Sequence, residues 1–216
     1  MSNPLAEFIA DVARLGPVVH EDRTANRILD GALEEAAAYG LKSLSIEGVA
    51  RRAGVNRVTV YRRFGDRDAL VAALAAREGH RMSAALLASV SDIDDPEQRL
   101  VEGFLVSLRY ARTHPLIIRA AQVEPESVIA ASLADNGALL RIGASFLANG
   151  IRDAQRARGT SHVDPLQAGE TLARLFASFV LLPAGNLDPT NEVLMREYAQ
   201  NTLMPMLLGP RSRAKR

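Results

Sequence analysis

The sequence predicts an all-α protein in two parts, an N-terminal three-helix helix-turn-helix domain and a longer C-terminal helical domain. Three observations predict it. Hydrophobic residues are 48% of the 216, but aromatics are only 5% and Trp is absent. The core must therefore come from Ala, Leu, Val and Ile, and Ala- and Leu-rich sequence with few β-branched runs favours helix. Asp95-Pro96-Glu97-Gln98, Asp164-Pro165-Leu166-Gln167 and Asp188-Pro189-Thr190-Asn191 each place an aspartate at an N-cap and a proline at the first helical position. In the first two, glutamine falls where it completes a capping box. Finally, the stretch from Ser45 to Phe64 reads as two short helices around a tight turn at Gly54. No alternating strand pattern competes with these signals.

In chain order, Asn3-Pro4 starts a short amphipathic helix over 4–15, with Leu5, Phe8, Ile9, Val12 and Leu15 on its apolar side and Gly16-Pro17 ending it. This extension over 1–20 is read as packing on the protein's own surface; the alternative is an arm for a partner or for DNA. An amphipathic helix over 24–39 stops at Gly40. In the next, over 46–53, Ile46, Val49, Ala50 and Ala53 repeat at helical spacing, and Ser45 is placed to cap the first turn. Gly54 suits the left-handed conformation that ends a helix, and Val55 plugs the turn into the core. Asn56 caps a helix over 57–63 whose Val60 and Phe64 point inward. Arg57, Thr59, Tyr61, Arg62 and Arg63 are left for groove, phosphates and solvent.

Further helices are expected over 67–90, 96–112, 115–122, 126–134, 138–158, 165–182 and 189–208. Asn136-Gly137 interrupts the pattern, as a hinge or a simple helix end, and residues 183–189 form a loop. Leu172, Leu175, Phe176, Phe179 and Leu182 make one apolar stripe, with Ala173 and Ala177 permitting close approach. Val193, Leu194, Leu203, Met206 and Leu207 make another. Paired with their symmetry mates, these two stripes could make a four-helix dimer seam, or else they face only the internal core; a stripe does not by itself establish a dimer. The tail over 209–216 carries four positive charges and reads as a solvated end rather than an added DNA contact.

Charge points the same way as the turn. Six arginines and one acid lie between Arg51 and Arg67, whereas the whole chain is only +1. A local cluster of this kind neutralises phosphates and releases counterions. Arginine concentrated on and beyond the second helix of an Ala-Gly-Val turn is the layout that puts that helix into the DNA major groove.

Val49-Ala50-Arg51-Arg52-Ala53-Gly54-Val55, Thr59-Val60-Tyr61-Arg62-Arg63-Phe64 and Asp66-Arg67-Asp68-Ala69-Leu70 resemble the TetR family of transcriptional regulators. The likeness runs from about Thr24 to Leu74; the rest resembles the family only in length and helical character. It implies a DNA-binding domain over 21–66 and a ligand-binding and dimerisation domain over 67–208. It also implies that Thr59 and Tyr61 contact phosphates or base edges, that Ser45 reaches a phosphate, and that Arg57 and Val58 lie nearest the bases. Arg67 stands where the family usually has a lysine beside the phosphate backbone. Arg63 replaces a frequent aromatic; it either adds a phosphate contact or alters the packing under the helix, and the first is favoured because Phe64 already supplies the core ring. A homodimer on a palindromic operator is implied, with a small-molecule effector enclosed by the second domain. Phe104, Leu108, Tyr110, His114, Phe146 and Phe179 are the candidate lining residues, each of which also fits plain core.

Other classes find little support. Without cysteine there is no disulfide, thiol catalysis or cysteine-ligated zinc; this is compatible with a reducing cytoplasm, the expected location. No apolar run is long enough for a bilayer, and acids interrupt the first 17 residues where a signal peptide needs an apolar core. His20, His80, His114 and His162 are scattered, with no pair at metal-ligand spacing. There is no phosphate-cradling glycine motif or nucleophile elbow. No cofactor, metal or enzymatic activity is expected. The expected function is a repressor released from DNA by ligand. The alternative is a ligand-independent DNA-organising protein of the same fold, against which the small net charge argues.

Overall fold

The computed structural model describes residues 22–209, apart from 124, 127, 128, 130–136 and 162. The helix expected over 4–15, most of the one over 126–134, Asn136, His162 and the tail from Pro210 lie outside the described residues. The chain is all-α, with no strand among the described residues. Its helices are α1 (Arg23–Tyr39), α2 (Ile46–Ala53), α3 (Arg57–Phe64), α4 (Arg67–Val90), α5 (Pro96–Thr113), α6 (Pro115–Val123), α7 (Ala138–Arg158), α8 (Pro165–Leu181), α9 (Glu192–Tyr198) and α10 (Met204–Leu208). Two compact units emerge. Of the described residues, one holds those up to Ser83 together with those within 113–139, and the other holds Ala84–Arg112 and those from Leu140 on.

In the first unit, the apolar face of α1 (Ile28, Leu29, Ala32 and Ala36) packs with Val49 and Ala53 of α2, Val60 of α3, Leu70 and Leu74 of α4, and Leu116 of α6. Local chemistry starts these helices. Asp22 accepts from the Thr24 amide at 2.8 Å ahead of α1, and Asp66 accepts from the Ala69 amide at 2.8 Å ahead of α4. Each bond satisfies an amide that the helix cannot pair internally.

The second unit gathers Val101, Phe104, Leu105 and Leu108 of α5, Ile151 of α7, Leu172 and Phe179 of α8, and Met195, Leu203 and Leu207 near the C-terminus. A side chain on Gly169 would collide with the Ala144 carbonyl, so α7 and α8 approach at backbone distance. Arg158 of α7 donates to Glu97 of α5 and to the Gly209 carbonyl, both at 2.6 Å. The Arg196 guanidinium forks onto both Glu102 oxygens. That bond lowers the Glu102 carboxyl below its ordinary value, against the opposing effect of burial.

The last helix differs from its expected span. Asp188-Pro189 does not open it; Asp188 instead binds the Thr190 amide and hydroxyl, both at 2.8 Å, in a turn. Pro189 is buried and its carbonyl accepts from Arg112 at 2.9 Å. The helix starts at Glu192, with Asn191 accepting from the Leu194 amide at 3.1 Å. A π-helical segment, Ala199–Leu203, then precedes Pro205. Proline has no N–H to donate and its ring crowds the preceding turn, and the wider winding accommodates both.

Candidate nucleic-acid interface

The helix-turn-helix is assembled from α2, the turn at Gly54 and α3. At the start of α2, the Ser45 hydroxyl accepts from the Gly48 amide and donates to Glu35 Oε1, both at 3.0 Å. Glu35 is 3% exposed. Its other oxygen accepts from Arg52 Nε at 2.8 Å, and the Arg52 guanidinium also lies over the Tyr39 ring at 5.8 Å. One buried carboxylate on α1 thus holds both the cap and the last turn of α2. A Cβ on Gly48 would fall within the Glu35 carboxylate and would force that side chain to shift.

The turn is held from α1 as well. Gly54 is left-handed at φ 62° and ψ 39°, and the Val55 amide returns to the Ala50 carbonyl at 3.0 Å. Arg27 donates to the carbonyls of Ala53 at 2.6 Å and Gly54 at 3.2 Å. A cation on the last carbonyls of α2 sits at the negative end of its dipole.

Asn56 caps α3, accepting from the amide and the hydroxyl of Thr59, both at 2.8 Å. Val60 is fully buried and Phe64 half-buried. Arg57, Val58, Tyr61 and Arg62 are exposed, and their spacing places them on one face of the helix. Val58 is 72% exposed, unusually bare for an apolar side chain in a unit with this core.

The six arginines separate into two groups. Arg52 is held by Glu35, and Arg63 pairs with Asp22 beside the α1 cap. The Arg67 guanidinium turns back onto the α1–α2 loop, donating to the carbonyls of Leu41, Lys42 and Leu44, and it also meets Asp68. Arg57 has an exposed partner, Glu47, at 3.6 Å; such pairs contribute little in water. Arg51 and Arg62 have no acidic partner among the described residues. Among the described residues, the cluster's least engaged positive charges are therefore Arg51 and Arg62, with Arg57 held only by its exposed pair with Glu47. The sequence reading missed Arg51 as a candidate, and missed Glu35 and Arg27 as supports. Glu35 left a signal, since it falls on the apolar face of α1 between Ala32 and Ala36.

The other candidate residues are dispersed. Phe104, Leu108 and Phe179 share the second unit's core, with Phe179 edge-on to both Phe104 and Tyr198 at 6.1 Å. Tyr110 is half-buried and Phe146 is 55% exposed. His114 lies in the first unit, its Nε2 3.3 Å from Glu78 Oε2. Glu78 also meets Arg77 and Arg81, and Arg77 reaches Asp30 of α1 at 2.7 Å. Burial pushes the Glu78 carboxyl up, but the His114 hydrogen bond and the two arginine charges outweigh it and hold the carboxyl below its ordinary value. Of the residues expected at a dimer seam, Leu172, Phe179 and Leu203 are buried in the unit's own core. Leu175, Phe176 and Leu194 are half-buried, and Val193 is 69% exposed. Among the described residues, no His, Asp or Glu cluster suits a metal, and no helix is long and apolar enough to cross a membrane.

Residues 28–74, from within α1 to the first third of α4, match the family model described as bacterial regulatory proteins, tetR family. An uncharacterised HTH-type transcriptional regulator of Mycobacterium tuberculosis is 32% identical over 93 residues, 43% of this chain and 46% of that protein. The chain thus matches less than half the length of that relative. A TetR-family transcriptional regulator from Pectobacterium atrosepticum superposes with a TM-score of 0.64 at 20% identity, covering 88% of this chain and 96% of that one. AibR, solved with isovaleryl coenzyme A and operator DNA, superposes with a TM-score of 0.57 at 18% identity, over 87% of this chain and 100% of that one. At these identities the structural likeness speaks for the fold.

Proposed function

The chain belongs to the TetR family of transcriptional regulators, and from that premise we propose that it is a sequence-specific DNA-binding regulator with α3 as its recognition helix. The observation that carries this reading is the outward face of α3. Arg57, Val58, Tyr61 and Arg62 stand together in solvent on a helix whose opposite side is anchored by Val60. Arginine recognises guanine and phosphate, tyrosine donates to phosphate, and an exposed valine matches the thymine methyl, the apolar feature of the major groove. Arg51, on the neighbouring helix, supplies a further phosphate partner. Thr59 and Ser45 spend their hydroxyl hydrogens on Asn56 and Glu35, so a phosphate contact by either would require that hydroxyl to leave its present partner.

The protein acts as a homodimer. An eight-residue helix reads few base pairs, and two copies about a two-fold axis read a palindrome with half-sites about one helical turn, or a multiple of it, apart. Its seam uses the exposed Val193 and the half-buried Leu175, Phe176 and Leu194, the last three through the part of each side chain that remains accessible. An effector of small-molecule size enters the second unit near Phe104, Leu108 and Phe179 and releases the repressor from its operator. AibR offers the parallel, holding a coenzyme A thioester and operator DNA in one structure. Release requires that the effector bind the DNA-free conformation more tightly, and the shift is limited to that difference. A protein with this role works where the chromosome is, in the cytoplasm.

Selection of duplexes from a random pool by the purified protein, at near-physiological salt, tests this. A palindromic consensus is expected. Salt-sensitive binding without a consensus would overturn sequence-specific regulation and favour a DNA-organising role.

A further inference from the structure

We infer that Arg67 is a positioning residue for the recognition helix and not a phosphate contact, although it stands at a position where the family resemblance implies one. The inference rests on the DNA-binding reading above. Arginine has five N–H donors, one on Nε and two on each terminal nitrogen. Here Nε donates to the Leu44 carbonyl at 3.1 Å, Nη2 to Leu41 at 2.5 Å and to Lys42 at 3.3 Å, and Nη1 to Asp68 at 2.9 Å. Four of the five are spent, and three of them close one loop. A phosphate arriving at Arg67 would find a single Nη1 hydrogen.

The position of that loop explains why the clamp matters. Residues 41–44 lead directly into Ser45, the cap of α2, and α2 carries α3 through the turn at Gly54. Arg67 itself begins α4, three residues after α3 ends. The guanidinium therefore joins the exit of the recognition helix to the entrance of the helix that supports it. α3 has eight residues and buries only Val60 completely. So short a helix is marginal alone, and its placement depends on what holds its two ends. Arg27 holds the turn before it, and Arg67 holds the chain after it. Lysine cannot substitute, because one compact ammonium lacks the planar fork that reaches two carbonyls from a single edge.

The test compares wild type with Arg67→Lys and Arg67→Met. Binding is measured on the selected duplex and on an unrelated duplex across a salt series. A charged hydrogen bond contributes about tenfold or more to an equilibrium. Arg67→Lys should therefore lose at least about tenfold on the selected duplex, with far less loss on the unrelated one. Both variants should keep the wild-type salt slope, since no phosphate contact has gone. A phosphate-contact role predicts rescue by lysine and a fall of about 0.9 in the slope for methionine, and that pair of results would overturn the inference. One measurement needs no variant. The Arg67 Nε–H of wild type should exchange slowly in nitrogen-edited NMR spectra and stay unmoved when DNA is added; a resonance that appears or shifts only with DNA would also overturn it. A wild type that selects no duplex sinks the DNA-binding reading and this one with it. Selection by wild type and by Arg67→Lys alike sinks the Arg67 inference alone.

Discussion

Substituting Gly48 with alanine should destabilise the wild-type protein yet stabilise the Glu35→Ala variant. The three heavy atoms nearest a Cβ at position 48 all belong to the Glu35 carboxylate. That carboxylate, with its side chain 4% exposed, accepts from the Ser45 hydroxyl and from Arg52 Nε. Gly48→Ala would expel it and break both bonds. Hydrogen bonds to charged groups contribute about 1.5–3 kcal/mol each. Arg52 is 26% exposed, so water recovers part of its loss, and the low end applies, about 3 kcal/mol for the two. Alanine returns about 0.5–1 kcal/mol through its better helix propensity, leaving a net cost of about 2–2.5 kcal/mol. Glu35→Ala alone loses the same bonds without that return, about 3 kcal/mol. In that background the obstacle has gone, and Gly48→Ala contributes only its favourable 0.5–1 kcal/mol or so.

The double variant should thus be more stable than Glu35→Ala alone, with a coupling energy of about 3 kcal/mol between the two sites. Urea unfolding of the four proteins, followed by helical circular dichroism, measures the cycle. If Gly48→Ala destabilised both backgrounds equally, the two residues would not share a site, and the account of Glu35 as the anchor of α2 would be wrong.

Three other outcomes follow from the structure. Arg51→Ala and Arg62→Ala should each lower the salt slope of DNA binding by about 0.9, whereas Arg63→Ala, whose partner is Asp22, should leave it unchanged; the comparison is read from affinities at several salt concentrations. The Glu78 carboxyl is held below its ordinary value of 4.5, so its stabilisation is present above that value and is lost as pH falls through the depressed one. Glu78→Gln should flatten that acid limb in denaturation curves taken from neutrality downward, and an unchanged limb would refute the role given to the His114–Glu78–Arg77 cluster. Asn191→Ala should cost about 1 kcal/mol in urea unfolding, as the loss of a true N-cap does, and more than Asp188→Ala, which removes only a turn.

The helix-turn-helix was legible in sequence because its signals are local. Ser45, Gly54 and Asn56 perform the capping and turning that their chemistry suggests, each through bonds spanning a few residues. The same local logic misplaced the start of the last helix. Asp188 and Asn191 are both competent caps, and burial of Pro189 with Arg112 on its carbonyl decides between them from 77 residues away. The roles of the arginines were illegible for the same reason. Arg52 meets Glu35 at a separation of 17 residues and Arg67 meets Leu41 at 26. A run of like charges in sequence does not disclose which members are already neutralised.

These clamps answer one physical problem. A helix that, on the proposed reading, presents Arg57, Val58, Tyr61 and Arg62 to a groove cannot also bury them, and α3 keeps only Val60 fully in the core. Hydrophobic packing alone therefore holds it weakly. Charged side chains that grip backbone carbonyls or caps avoid the conflict, because they act at the ends of α2 and α3 and leave the outward face open. Glu35 takes the start of α2, Arg27 the turn at Gly54, and Arg67 the loop below. All three reach in from α1 or α4, the longer and better buried helices. On the proposed reading, precision at the recognition surface is inherited from the helices behind it, and substitutions at Glu35, Arg27 or Arg67 should erode sequence discrimination before they erode binding itself.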